Sequence, residues 1–257
     1  MTYCLSLLCR QGTVFLSDSR TSAGMDNITI HPKMRLYGTP GERVICLMAS
    51  GNLSASQTVA ALIEEDARLA ERDPSLPHLL NQMTMYETAR YIGLKIRQVE
   101  RLDREALERD RYSFDINILV GGQVRGSPPE IFRVYPQGNT MHADHESPFL
   151  QIGESKYGKP ILDRGFTYGT PLPEAIKFGL LSLEATMKSN VSVGTPFDIF
   201  CYEKDSFEIK YRYRLEEGDP YMKMVRQRWQ DGLAKLVGEI PCLLFPGIEP
   251  QPGEAAP

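Results

Sequence analysis

The chain has 257 residues, 42% hydrophobic and 24% charged, enough for one large core or two modest ones, and this apolar content excludes disorder over most of its length. Lys+Arg is 29 against Asp+Glu 33, a formal net charge of −4, which argues against nucleic acid as a main partner because such a binder needs surplus cations to displace counterions. No run approaches the ~20 apolar residues of a membrane span; the start, Met1–Leu5, lacks the pattern of a signal peptide, and the five cysteines (4, 9, 46, 201 and 242) form no C-x-x-C pair, so a reducing cytosol is the expected compartment.

The first fifty residues are predicted to be strands. Tyr3–Arg10 and Thr13–Ser17 flank Gln11-Gly12, a two-residue hairpin signal. Met34–Tyr37 and Val44–Ala49 follow, and the unbroken apolar run Val44–Ala49 predicts a strand covered on both faces. The period then changes. Leu53–Arg72 is predicted to be a helix with Val59, Leu62, Ile63, Ala67 and Ala70 on one face. The spacing of Leu79, Met83, Tyr86, Ala89, Ile92, Ile96 and Val99 predicts a second, long helix, whose charged end, Arg97–Arg111, is solvated.

Strand chemistry returns at Phe114–Gly121, at Ile131–Tyr135, near Thr140 beyond a Gln137-Gly138 turn, and at Phe149–Ile152. Lys156–Arg164 and Pro173–Met187 are predicted helices. Two strands close the core, and in the second Phe207, Ile209, Tyr211 and Tyr213 alternate with charged residues, the pattern of a half-buried edge. A last helix opens at Asp219-Pro220 and carries Tyr221, Val225, Trp229, Leu233 and Leu236 on one stripe, ahead of a Pro/Gly-rich tail. Helices inserted twice between blocks of strands predict an α+β fold with two stacked sheets and helices outside both.

Thr2 is the first candidate for chemistry. An initiator Met before so small a residue is normally removed, and the freed α-amine, with a pKa near 8, can serve as general base for the hydroxyl of the same residue. A strand that begins at the chain start holds this terminus inside a sheet. Asp18, at the end of the next strand, is placed to meet it. Lys33, at the start of the following strand, is a cation that Asp18 would hold and that would lower the pKa of amine and hydroxyl. Alone, Asp18 would be a turn cap and Lys33 a surface residue. His142-Ala-Asp144-His145 could bind a metal, but its histidines are three apart with no third ligand evident, and an exposed loop is favoured. Gly121-Gly122-x-x-x-Gly126 has neither dinucleotide-binding nor phosphate-loop spacing.

Thr2, Gly12-Thr-Val-Phe-Leu-Ser-Asp18-Ser-Arg20, Gly24, Lys33-Met34 and Met48-Ala-Ser-Gly51 resemble the N-terminal half of proteasome-type β subunits. Gly153-Glu-Ser155-Lys-Tyr-Gly-Lys-Pro-Ile-Leu-Asp163-Arg, Ser189-Asn-Val-Ser192-Val-Gly194 and the long C-terminal extension resemble the bacterial branch called Anbu, the ancestral β subunit. The resemblance covers residues 2–215. It implies an N-terminal-nucleophile hydrolase fold, a four-layer αββα sandwich, with a C-terminal helical extension over 216–245, while the apolar stripe of that extension suggests a surface between subunits and four prolines and two glycines predict a flexible tail over 246–257.

The same resemblance implies Thr2 as nucleophile, Asp18 and Lys33 as its activating pair, and the backbone N–H of Ser50 as oxyanion donor, with Gly51 letting the chain come close. Ser155 falls near a family serine that supports the terminal amine. Ser189 and Ser192 fall where the family usually has an Asp and a Ser, so Ser189 removes a carboxylate that would orient the amine. The implied activity is amide hydrolysis of peptides or unfolded protein through an acyl-enzyme, with no metal or organic cofactor. The implied setting is a cytoplasmic homo-oligomer, closed as a ring or running on as an open spiral, with an ATP-dependent unfoldase of unknown identity as a further partner to consider. Two rival readings are an amidase of the same fold for a small or specialised acyl or peptide substrate, marked by a narrow pocket beside Thr2, and a non-catalytic self-assembling subunit, which would not need the Thr, Asp and Lys set.

Overall fold

The computed structural model describes residues 2–22, 28–241 and 243; Met1, Gly24 of the family motif, Cys242 and the tail lie outside the described residues. In chain order the elements are β1 (Tyr3–Cys9), β2 (Gly12–Asp18), β3 (Arg20–Ser22), β4 (Ile28–Ile30), β5 (Met34–Thr39), β6 (Arg43–Gly51) and α1 (Leu53–Ala70). After a single 3-10 turn at Leu79–Asn81 come α2 (Met85–Arg109), β7 (Ile116–Val124), β8 (Glu130–Val134), β9 (Thr140–His142) and β10 (Phe149–Gly153). Then follow α3 (Lys159–Gly165), α4 (Leu172–Ser189), β11 (Phe197–Glu203), β12 (Tyr211–Leu215) and α5 (Pro220–Glu239). Two five-stranded sheets have the orders β10-β1-β2-β11-β12 and β5-β6-β7-β8-β9, and β3 pairs with β4 in a short ribbon.

The two sheets lie face to face. Cys4, Leu8, Phe15 and Phe200 of the first share one buried cluster with Val44, Cys46, Met48, Leu119 and Ile131 of the second. The outer face of the second sheet packs on α1 and α2 through Val59, Ile63, Ala89, Ile92 and Ile96. Helix α4 crosses β1 and β2 so closely that a Cβ on Gly179 would meet Leu16. Covered from both sides, β1 and β2 are buried along their whole length, which is why neither alternates between apolar and polar residues. Each large aliphatic side chain enclosed in this way contributes about 1.5–3 kcal/mol. The hairpin joining them needs Gly12, whose φ is 147° and where a Cβ would overlap the Tyr202 carbonyl.

Two expectations need correction. Helix α2 starts later than its apolar spacing predicts, because a polar cap fixes the start. Thr84 Oγ1 accepts from the Glu87 N–H at 3.0 Å, and the Glu87 carboxylate accepts from the Met83 N–H at 2.7 Å. With that start Met83 and Tyr86 are 73% and 53% exposed, while Met85 and Tyr91 enter the core. A Thr84→Ala variant is expected to lose about 1 kcal/mol, read as a lower urea midpoint at unchanged m-value. The second correction concerns the alternation from Phe207. Asp205 and Phe207 both take left-handed backbone, φ 63° and 50°, so β12 begins only at Tyr211. It is the outermost strand of its sheet, and Tyr211 and Tyr213 are exposed instead of half-buried.

The described residues from 218 onward form a compact unit of their own. Asp219 caps α5, its Oδ1 accepting from the Tyr221 N–H at 2.8 Å. On the predicted stripe, Tyr221, Leu233 and Leu236 are exposed. Among the described residues no helix is long and apolar enough to cross a membrane.

Candidate active site

Asp18 ends β2 and is fully buried. Its Oδ1 accepts from the Tyr3 N–H at 2.9 Å and from Lys33 Nζ at 2.6 Å. Lys33, whose side chain is 7% exposed, also donates to the Arg20 carbonyl at 2.6 Å. Burial pushes the Asp18 carboxyl up; the Lys33 charge and hydrogen bond, then the backbone N–H groups of Tyr3 and Gly194, pull it back down. The ion pair is therefore locked on both partners and shielded from water.

Strand pairing delivers Lys33 to this spot. It sits just ahead of β5, and its carbonyl accepts from the Ala49 N–H of β6 at 3.2 Å. Alternation along β6 then puts the Gly51 N–H on the same edge, past the end of β5, and the Ser50 N–H on the edge that faces Asn117 of β7. Gly51 takes φ 100°, and a Cβ there would overlap the Asp115 carbonyl, so only glycine fits. Asn52 follows at once and caps α1, its Oδ1 accepting from the Ala55 N–H at 3.1 Å.

Thr2 is half-buried. Its carbonyl accepts from the Glu154 N–H at 2.8 Å. Next to it Tyr3 is an anchor: the phenol bonds Ser182 Oγ at 2.5 Å and Gln151 Nε2, and burial pushes its pKa up to about 12. Thr2, Thr21, Lys33, Ser50 and Gly51 line one cavity of about 290 Å³. His31 and Arg35 contribute to its wall, and Leu47, Ala49, Val59 and Ile63 make much of the rest apolar. Asp18 holds Lys33 without lining the cavity itself. A fixed cation, a hydroxyl and a backbone N–H around one cavity can together stabilise an alkoxide and an oxyanion.

Ser155, Ser189 and Ser192 are outside the residues that line this cavity. Ser155 stands two residues past Gly153, and its carbonyl accepts from the Lys159 N–H at 3.0 Å, opening the turn into α3. Ser189 is the exposed last residue of α4. The Ser192 N–H donates to Asn190 Oδ1 at 3.0 Å. Their turn is nonetheless tied to the site, because Asn190 Nδ2 donates to Glu154 Oε2 at 3.0 Å and Arg20 Nη1 to the Val191 carbonyl at 3.1 Å. Glu154 itself, only 7% exposed, escaped the sequence reading. Its one signal there was a carboxylate inside the Gly153-Glu-Ser155 motif.

The His142 ring lies 6.0 Å from Phe132 and the His145 ring stacks on Tyr168 at 3.9 Å, while Asp144 accepts from the N–H groups of Glu146 and Ser147. Among the described residues no group of three His, Cys, Asp or Glu could hold a metal ion. Cys4, Cys9, Cys46 and Cys201 are buried and unpaired, and burial pushes the thiols of Cys9 and Cys201 up to about 12 and about 11, far from the thiolate a nucleophile needs.

No family model and no curated protein matches the chain. Solved structures do. It is 39% identical to Anbu (ancestral beta-subunit) from Yersinia bercovieri, with a TM-score of 0.86 over 95% of this chain and 99% of that one. It is 39% identical to the protein in the helical assembly of the Anbu complex from Pseudomonas aeruginosa, with a TM-score of 0.89 over 96% and 100% of the two chains. For Anbu from Hyphomicrobium sp. strain MC1 the identity is 38% and the TM-score 0.87, over 95% and 100%.

Proposed function

The chain belongs to the Anbu (ancestral β-subunit) family, and from that premise we propose that it is a proteasome-type threonine hydrolase acting from a processed N-terminus on an αββα N-terminal-nucleophile sandwich. The observation that carries the reading is the cavity shared by Thr2, Lys33, Ser50 and Gly51, with Asp18 bonded to Lys33 from behind.

With Met1 removed, Thr2 Oγ attacks an amide carbonyl while its proton passes to the Thr2 amine, directly or through a water. Lys33 stabilises the charge developing on Oγ, and Asp18 and the Arg20 carbonyl keep its ammonium aimed there. The tetrahedral oxyanion takes the backbone N–H on the free edge of β6, for which the strand register favours Gly51 over its neighbour Ser50. The amine returns the proton to the leaving nitrogen. Water then splits the Thr2 ester and restores the hydroxyl. Ser155 and Ser192 support the amine from the turns around it.

At about 290 Å³ the cavity lies at the small end of the roughly 300–1,000 Å³ of ligand sites, and its apolar wall suits one side chain or a small acyl group. A purely structural subunit would leave the buried Asp18–Lys33 pair unexplained, since such a pair adds little net stability by itself. The Pseudomonas relative forms a helical assembly; this chain is proposed to self-assemble in the cytoplasm, as a ring or an open spiral, with the α5 stripe as a surface between copies. Any unfoldase partner would engage that assembly.

The test is processing. Protein made with methionine aminopeptidase active is expected to lack Met1 by intact mass and to react with an epoxyketone, which needs both the hydroxyl and the free amine. Protein made with the aminopeptidase inhibited should keep Met1 and stay unmodified. Equal modification of both forms would overturn the role of the amine.

A further inference from the structure

The buried carboxylate of Glu154 takes no part in the steps derived for Thr2, Asp18 and Lys33, and we infer that it positions the Thr2 amine and sets its basicity. This rests on the reading of Thr2 as the processed terminus.

Three observations converge on Glu154. First, the β1–β10 register pairs Tyr3 with Gly153, which sets Thr2 opposite Glu154, and the Glu154 N–H donates to the Thr2 carbonyl at 2.8 Å. This backbone bond carries the β1–β10 pairing one residue past Gly153 and sets Glu154 beside the start of the chain. Second, Gly153 takes φ 82°, and a Cβ there would overlap the Thr2 carbonyl, so the backbone leading into Glu154 is shaped around the start of the chain. Third, the Glu154 side chain is only 8% exposed, with Asn190 donating to Oε2 at 3.0 Å and Lys156, itself 66% exposed, at 3.5 Å from Oε1. A buried carboxylate is costly unless fully paired, and the ammonium that appears at Thr2 when Met1 leaves is a partner of the right sign beside it.

The chemistry gives this pairing a purpose. The Thr2 amine shares its surroundings with the Lys33 cation, which Asp18 partly offsets, and with His31 and Arg35 of the cavity wall. The Lys33 and Arg35 cations lower its pKa. Glu154, against the exposed charge of Lys156, raises it and fixes its direction. Glu154 thereby supplies the carboxylate that is missing at Ser189, from the opposite side of the Asn190 hydrogen bond.

The experiment is a titration of the α-amine in protein that lacks Met1, by competitive acetylation across pH followed by mass spectrometry of the N-terminal peptide. This measures the amine whether or not Thr2 is a nucleophile, so a failure here is separable from a failure of the hydrolase reading. Glu154→Gln keeps the acceptor for Asn190 and is expected to lower the amine pKa by about one unit. Glu154→Asp, which keeps the charge, should hold most of the wild-type value, and it carries the test if the Gln variant does not fold. An unchanged amine pKa in Glu154→Gln, or a fall in Glu154→Asp as large as one unit, would overturn the inference.

Discussion

Replacing Lys33 by Met is expected to abolish epoxyketone labelling at Thr2 and to cost about 3–5 kcal/mol of stability, the penalty for leaving one partner of a buried ion pair behind. Asp18 is completely buried and would keep only backbone donors. Its carboxyl, already pushed up by burial, would lose its largest downward influence and be pushed up further. The sign of the pH dependence follows. An acid whose pKa is raised in the folded state binds a proton there that the unfolded chain has released, so its stabilisation is greatest below the ordinary value of 3.8 and is lost as pH rises through the folded pKa. The deficit of Lys33→Met against wild type should therefore widen from pH 4 upward in urea unfolding. Adding Asp18→Asn removes the stranded charge and should recover most of the stability with none of the labelling. A Lys33→Met protein that is fully stable and fully labelled would sever the pair from both roles.

Much of this framework can be read from residue order. Gln11-Gly12 marks the first hairpin, and the unbroken apolar run Val44–Ala49 announces a strand with both faces covered, as five of its six residues are fully enclosed between the sheets and α1/α2. Apolar spacing misplaces the start of α2 because the decisive residues there, Thr84 and Glu87, are polar and act on the backbone. The alternation before β12 misleads for another reason: pattern reports which residues could be covered, and two left-handed residues break the strand while its outer position leaves the tyrosines exposed.

The site divides along the same line. Asp18 and Lys33 fall at strand ends, where turn residues and a family resemblance draw the eye. Glu154 is visible only through the pairing of Tyr3 with Gly153 across 150 residues of chain and through the unusual backbone of Gly153. No local pattern encodes that register. The choice between the Ser50 and Gly51 N–H groups likewise depends on which edge of β6 is unpaired, a property of the assembled sheet.

The second large effect lies at Thr2 itself. Thr2→Ala keeps a small residue after Met1, so Met1 should still be removed, and the half-buried position should still seat its carbonyl on the Glu154 N–H. Fold, assembly and melting behaviour are expected to stay close to wild type, while the hydroxyl that forms the covalent bond is gone. Labelling of the processed protein, followed by peptide mapping of the adduct, is the most direct measurement: the modification should sit on the N-terminal threonine and vanish completely in Thr2→Ala. An adduct mapped to any other residue, or one that persists at wild-type level in Thr2→Ala, would contradict a nucleophile at the front of this chain.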